Sequence, residues 1–205
     1  MRIVAGKYRS RTLRSLHGAA LRPTSDRLRE TLFSILGRTV EGSMFVDVYA
    51  GTGAVGIEAL SRGARKAVFI ENHAAAVQQI RRNLQSLDID AVIVSPGSAS
   101  HTRRFGEGPL AEILAGDAVR GLERLAARLL HAQFVFLDPP YAETKEYSRV
   151  LDFLDSSSLL TPAGLVIVEH ARRHALPEYL AQLERVRLVE QGDAALSFYR
   201  LSLAA

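Results

Sequence analysis

The amino-acid sequence predicts an α/β protein: a doubly wound, mostly parallel sheet with an antiparallel strand at its C-terminal edge, plus a basic N-terminal arm. Three observations point there. Short apolar runs rich in Val, Ile and Phe alternate with segments of helical period, the arrangement of successive βαβ units. The first run, Met44-Phe-Val-Asp47-Val-Tyr49, passes straight into Ala50-Gly51-Thr52-Gly53-Ala-Val-Gly56 and a helical pattern, so strand, glycine turn and helix N-terminus follow one another. Near the C-terminus, Arg185–Glu190 and Leu196–Leu203 flank Gly192-Asp193, which reads as a hairpin.

Taken in order, residues 1–22 read as an arm of short extended pieces punctuated by Gly6 and Gly18. Arg22-Pro23-Thr24-Ser25-Asp26 sets up a helix start with Thr24 or Ser25 as N-cap candidates. Leu28, Leu32, Ile35 and Leu36 share one face of that helix, Arg27 and Arg38 the other, and Gly37 is the expected stop. The arm and leading helix form a first unit, 1–40; the remainder, 41–205, forms the α/β domain. The glycine turn opens a helix that ends near Arg62, and Ala67-Val-Phe-Ile70 is the second strand, closing on Glu71. Ala74–Leu87 reads as a helix with Val77, Ile80, Leu84 and Leu87 inward and Arg81 and Arg82 outward.

Two strand-like runs follow, Ala91–Val94 and Leu110–Leu114, the second before Gly116-Asp117. The second is read as the third parallel strand because it ends in an acid, as the other strands do. Ala91–Val94 then becomes an added edge strand. Between them lies a loop that is long for a compact domain, with His101, Arg103 and Arg104 read as solvated charge. Val119–Leu130 is predicted helical with Leu122, Leu125 and Leu129 on one side, leading to a central strand from Phe134. Thr144–Leu154 is predicted as a helix and Thr161-Pro162-Ala-Gly164 as a turn. Leu165–Val168 is a strand ending in Glu169-His170, and Pro177–Leu183 a short helix.

With 205 residues, 47% of them hydrophobic, the chain can bury a normal core in one domain. No apolar run approaches the ~20 residues of a membrane span, and the opening Met1–Gly6 meets charge too soon for a signal peptide. Cysteine is absent, which excludes disulfides and thiolate metal sites. A cytoplasmic protein is the expectation. The net charge of +4 is unevenly placed: residues 1–30 hold eight Lys/Arg against Asp26 and Glu30, a balance of +6, and the rest sums to −2. A basic arm on a near-neutral body is the footprint of phosphate-backbone binding, and the bland alternative is a solvated tail.

The most informative stretch is Phe134-Val-Phe-Leu-Asp138-Pro139-Pro140-Tyr141. Proline cannot donate to a ladder, so the strand ends there, and its carboxyl end is where open α/β sheets bind ligands. Two prolines leave the carbonyls around them without local N–H partners. A rigid acceptor cluster beside a carboxylate suits an amino group, and Tyr141 offers a flat face for a base; alternatively, the strand merely turns at Pro139-Pro140. Glu71, 20 residues after Gly51, stands where a doubly wound fold places a carboxylate on ribose hydroxyls. A dinucleotide-dependent dehydrogenase would share the glycine turn, but gives no reason for Asp138–Tyr141 or the basic arm.

At this point the sequence resembles the Rossmann-like class I S-adenosylmethionine-dependent methyltransferases that carry an Asp/Asn-Pro-Pro-Tyr/Phe motif. More closely it resembles the bacterial 16S rRNA (guanine(966)-N(2))-methyltransferases, the RsmD-like family. The resemblance runs nearly end to end, through Arg2–Arg9, Arg22–Arg27, Leu32–Leu36, Asp47–Gly53, Glu58–Ala64, Phe136–Tyr141, Val168–His170 and Gly192–Tyr199. Departures from the family pattern are Thr52, Ala194 and the longer 91–109 segment, which bears on the third strand and on Asp117.

The resemblance implies that Asp47, Gly51, Thr52 and Gly53 hold the methionine end of S-adenosylmethionine, Glu71 its ribose and Asp117 its adenine amino group. It implies that Asp138 and the Pro139 carbonyl, with Pro140 and Tyr141, grip and stack a guanine and aim its N2 at the methyl. Lys7, Arg9, Arg11, Arg22, Thr24 and Arg27 would contact RNA. The implied partner is 16S rRNA or the small subunit, with the protein a monomer. Rival readings are an N6-adenine methyltransferase on rRNA or DNA, a glutamine-N5 protein methyltransferase, which lacks a basic arm, and a non-catalytic RNA-binding assembly factor.

Overall fold

The computed structural model describes residues 1–15, 26–95 and 110–202. In chain order they form α1 (Asp26–Leu36), a 3-10 turn (Gly37–Val40), β1 (Met44–Val48), α2 (Ala54–Ser61), β2 (Lys66–Glu71), α3 (Ala74–Gln85) and β3 (Ala91–Val94). Then come β4 (Ala111–Ala115), α4 (Ala118–Ala127), β5 (Ala132–Leu137), α5 (Thr144–Ser156), β6 (Leu160–Ala171), β7 (Leu183–Gln191) and β8 (Ala194–Leu201). One eight-stranded sheet runs β3-β4-β2-β1-β5-β6-β8-β7. Its first six strands are parallel, and β8 and β7 close the edge antiparallel.

The central strands are apolar along most of their length because both faces are covered. Phe45, Phe69, Phe134 and Phe136 pack with Leu28, Phe33, Ile57 and Ile80 of α1, α2 and α3 on one side. Val46, Val68 and Val135 pack with Leu122 and Leu125 of α4 and Val150 and Leu151 of α5 on the other. The chain winds outward from β1 through β2 and β4, then returns to place β5 on the opposite side of β1. That reversal puts a crevice at the carboxyl ends of β1, β2, β4 and β5. Ala91–Val94 is the outermost parallel strand, paired with β4, as expected of an added edge. Among the described residues no helix is long and apolar enough to cross a membrane.

Several local expectations are corrected. Pro177–Leu183 is not helical: the Asp155 carboxylate accepts N–H bonds from Ala181, Gln182 and Leu183 at 3.1, 2.7 and 2.7 Å, so an acid on α5, not helix carbonyls, satisfies these donors. Leu129 does not continue the buried face of α4; it follows the C-cap Arg128, adopts φ +53° and is 78% exposed. Thr161–Gly164 is not a turn ahead of a strand but a bulge within β6, where the pairing shifts between Ala132↔Leu160 and Phe134↔Leu165. The N-cap candidates Thr24 and Ser25, the loop residues His101, Arg103 and Arg104, and Arg22 lie outside the described residues.

The start of the arm is folded, not merely extended. Ile3 N–H donates to Arg11 O, Ser10 N–H to Ile3 O and Leu13 N–H to Met1 O at 2.9–3.0 Å, closing a small hairpin whose Ile3 and Leu13 are buried. Gly6 sits at its tightest point with φ +82°, where a Cβ would lie 1.8 Å from Ser61 O. Glu58, fully buried on α2, accepts from Val4 N–H at 2.8 Å, Ala5 N–H at 3.0 Å and Arg62 Nε at 2.8 Å. Arg29, one of the basic residues near the N-terminus, is also fully buried: it lies 3.7 Å from Glu58 and donates to Asp26 and the Arg2 carbonyl. Its charge anchors the hairpin and faces no solvent.

Candidate active site

Strand ends and the first turns of the helices beyond them enclose a cavity of about 620 Å³. Of the ten residues assigned above to catalysis or the cofactor, nine line it: Asp47, Gly51, Thr52, Glu71, Asp117, Asp138, Pro139, Pro140 and Tyr141. Gly53 does not. It is buried at the N-cap of α2 with φ +78°, where a Cβ would press on Ile80 and Phe69 at 3.2–3.3 Å, so its role is to let the turn settle on the core. Met1 and Ser15 also line the cavity, which brings the N-terminal segment to its wall.

Three of the acids accept from backbone N–H groups beyond the strands. Asp47, the fourth residue of β1, accepts from Gly56 N–H at 2.8 Å and so clamps the start of α2. Glu71 at the end of β2 accepts from Gly51 N–H and from His73 N–H, both at 2.8 Å, tying the glycine turn to the next loop. Asp117 caps α4 by accepting from Arg120 N–H at 3.1 Å, and pairs with Arg149 at 2.6 Å. The Arg149 hydrogen bond holds the Asp117 carboxyl below the usual carboxylate range. At the end of β5, Asp138 N–H reaches Val48 O at 3.4 Å. Against the expectation that the carbonyls around the prolines lack local N–H partners, the Pro140 carbonyl accepts from Glu143 N–H at 2.8 Å, starting the turn into α5.

Burial pushes the Asp47 carboxyl up to about 8, with the Glu71 charge adding to the rise and the Gly56 N–H opposing it. Asp47 is therefore mostly protonated at neutral pH. Against an ordinary value of 3.8 in the unfolded chain, the native state holds the extra proton, so this group's contribution to stability is complete below that value and is lost as pH rises to about 8. Thermal unfolding followed by circular dichroism should show Tm declining across that window. The curve for Asp47→Asn, which keeps an acceptor for Gly56 N–H, should be flatter; an identical slope would show that Asp47 does not carry the proton.

Five wall or support residues had no role in the sequence reading. Tyr49, at φ +62°, donates its hydroxyl to Glu146 at 2.6 Å, and Glu146 pairs with Arg149 at 2.8 Å. These residues and Asp117 thus form one chain of contacts along the wall. Asn83 donates to Thr52 O at 2.9 Å and Arg14 O at 3.2 Å, and accepts from Arg14 N–H and Gln79 at 3.0 and 3.1 Å. It joins the glycine turn to the N-terminal segment. Glu169, in β6, is 5% exposed, lines the cavity, and accepts from the Tyr141 hydroxyl at 3.5 Å. An acid closing an apolar strand was the available signal for Glu169, and a polar residue on the buried stripe of α3 the signal for Asn83. Nothing in the sequence pairs Tyr49 with Glu146.

Comparison with known proteins agrees with this geometry. The family model described as Conserved hypothetical protein 95 matches residues 1–200. The chain is 32% identical to ribosomal RNA small subunit methyltransferase D of Haemophilus influenzae, over 98% of this chain and 92% of that protein. It is 30% identical to the Escherichia coli (strain K12) protein of the same name, over 98% and 89%. Among solved structures, a hypothetical protein of Thermus thermophilus superposes with a TM-score of 0.76 at 26% identity, over 98% of this chain and 99% of that one. The chain belongs to the Conserved hypothetical protein 95 family and is an RsmD-like methyltransferase with a Rossmann-like α/β fold.

Proposed function

We propose that this protein transfers a methyl group from S-adenosylmethionine to the exocyclic N2 of a guanine in 16S rRNA, within the small ribosomal subunit or an assembly intermediate. The observation that carries this reading is the meeting of Asp138-Pro139-Pro140-Tyr141 with Glu71, Asp117 and the glycine turn on one cavity wall. The donor set fits the cofactor: acids suit a ribose diol, an ammonium and an amino group, and the volume lies within the range for ligands of that size. Asp47, Gly51 and Thr52 would hold the methionine end, Glu71 the ribose and Asp117 the adenine amino group. A cationic ligand beside Asp47 favours its ionised form, so binding at neutral pH would release its proton.

Bound S-adenosylmethionine supplies an already activated methyl on a sulfonium: the C–S pair stays on sulfur as N2 forms the new C–N bond. The protein's task is then mostly positioning. Asp138 and the Pro139 carbonyl accept the N2 hydrogens and turn the nitrogen lone pair toward the methyl, and Asp138 takes the proton released from N2. Tyr141 stacks on the base, which has been swung out of its RNA stack.

Residues 1–40 form the RNA-contacting unit on this reading and 41–205 the transfer domain. Lys7 and Arg9 are exposed on the hairpin turn, and Arg27 on α1. Arg11 donates to Ser86 O at 2.7 Å, so it also holds the hairpin to the end of α3. Arg22 and Thr24 complete the proposed set. The reading places the protein in the cytoplasm, as a monomer. Its test is labelled methyl transfer to 16S rRNA or small subunits from cells lacking the enzyme, followed by nucleoside analysis. N2-methylguanosine is expected. Label in N6-methyladenosine would overturn the guanine assignment, and cofactor binding without label would indicate an assembly factor.

A further inference from the structure

We propose, resting on the function above, that Glu169 selects guanine by accepting the N1–H of the target base while Asp138 accepts from the neighbouring N2. The register of the sheet brings the two acids together. Leu137, the last residue of β5, pairs with Val168 of β6 in parallel, so Asp138 just past β5 follows in step with Glu169 of β6. Parallel neighbours lie about 4.8 Å apart and alternate faces in step, so both carboxylates emerge on the same side of the sheet. Both line the cavity. The Tyr141 hydroxyl donates to Glu169 at 3.5 Å, which links the proposed stacking ring to the proposed acceptor. Tyr147, on α5, reports the same closeness: its buried hydroxyl has no hydrogen-bond partner among the described residues. Burial raises its titration, and the charges of Asp138, Tyr141 and Glu169 raise it further.

Two adjacent acceptors match one purine edge. Guanine presents N1–H and N2–H side by side, both donors. Adenine presents its amino group beside an N1 lone pair, which would face the Glu169 carboxylate and be repelled. The pairing also assists the chemistry. As the N1 hydrogen is drawn toward a carboxylate, electron density moves through the ring onto N2, a poor nucleophile, while the N1 proton remains on the base. Asp138 then receives the proton that leaves N2, and charge balances without any further reactant. The specificity follows from leaving a buried polar group without its partner when the wrong edge is presented.

The probe is 2-aminopurine, which keeps the 2-amino group but replaces N1–H by a lone pair and carries hydrogen in place of the C6 oxygen; the Glu169→Gln variant separates the two changes. The full-length protein would be given 16S rRNA, joined by ligation, carrying guanine or 2-aminopurine at the methylated position. The wild type should lose about 100-fold in kcat/KM on 2-aminopurine. Glu169→Gln, whose amide donates to N1, should narrow the guanine preference by at least about tenfold, with S-adenosylhomocysteine affinity near that of the wild type by calorimetry. Wild-type rates on the two bases within about threefold would overturn the proposal, as would a Glu169→Gln loss equal on both. If the variant fails to fold, wild-type turnover of 6-thioguanine, which keeps N1–H and N2 but alters the C6 oxygen, decides: a rate within about threefold of guanine assigns the 2-aminopurine loss to N1–H, and a loss as large as on 2-aminopurine overturns the proposal. Absence of N2-methylguanosine on the guanine substrate would instead overturn the underlying function.

Discussion

Asp138→Ala should lower methyl transfer by about 10³-fold while leaving S-adenosylmethionine affinity within a few-fold. The carboxylate stands at the end of β5 beside Pro139 on the cavity wall, while the glycine turn and Glu71 tie to each other through Gly51 N–H. On the proposed mechanism, removing it deletes both the acceptor that orients N2 and the group that receives its proton, effects that together span about 10²–10⁴ in rate. Asp138→Asn separates the two. Its side-chain oxygen still accepts from N2, so an intermediate rate assigns most of the effect to orientation, and a rate equal to that of alanine assigns it to proton acceptance. Single-turnover transfer with calorimetric cofactor binding measures both. An Asp138→Ala rate near that of the wild type would remove Asp138 from the mechanism.

Glu58→Ala should have the largest effect on stability, about 3–5 kcal/mol in urea unfolding. The substitution strips the fully buried Arg29 of its buried carboxylate partner, leaving only the exposed Asp26 at 2.9 Å, and leaves the N–H groups of Val4 and Ala5 without their acceptor. An uncompensated interior charge is far costlier than a missing surface pair, which contributes little. A double substitution, Glu58→Leu with Arg29→Met, should recover part of the loss by removing both charges. The recovery stays partial because Val4 and Ala5 still lack partners. A Glu58→Ala change below about 1 kcal/mol would show that the hairpin relaxes and lets water reach Arg29.

Much of this molecule was legible from residue order. β1, β2, β4 and β5 are short apolar runs bounded by glycine, proline or acid, and such runs announce themselves locally. The glycine turn, Glu71 and Asp138–Tyr141 were recognisable because each pairs a chemical type with a strand end. The misreadings share a cause. Pro177–Leu183 has helix-like composition, but Asp155, distant in sequence, captures its N–H groups. Leu129 keeps helical spacing, yet α4 has already ended at Arg128.

The sequence by itself determined the alternation of strands and helices, the strand ends that carry acids, and the basic excess at the N-terminus. Periodicity, turn chemistry and charge are properties of neighbours along the chain. The tertiary structure alone decided that Ala91–Val94 pairs outside β4, that Arg29 is an interior anchor against Glu58, and that Asn83 joins Thr52 to Arg14. It also decided that Glu169 emerges beside Asp138. These are pairings between residues far apart in the chain, and what sets them is strand order, register and burial, which no local pattern encodes.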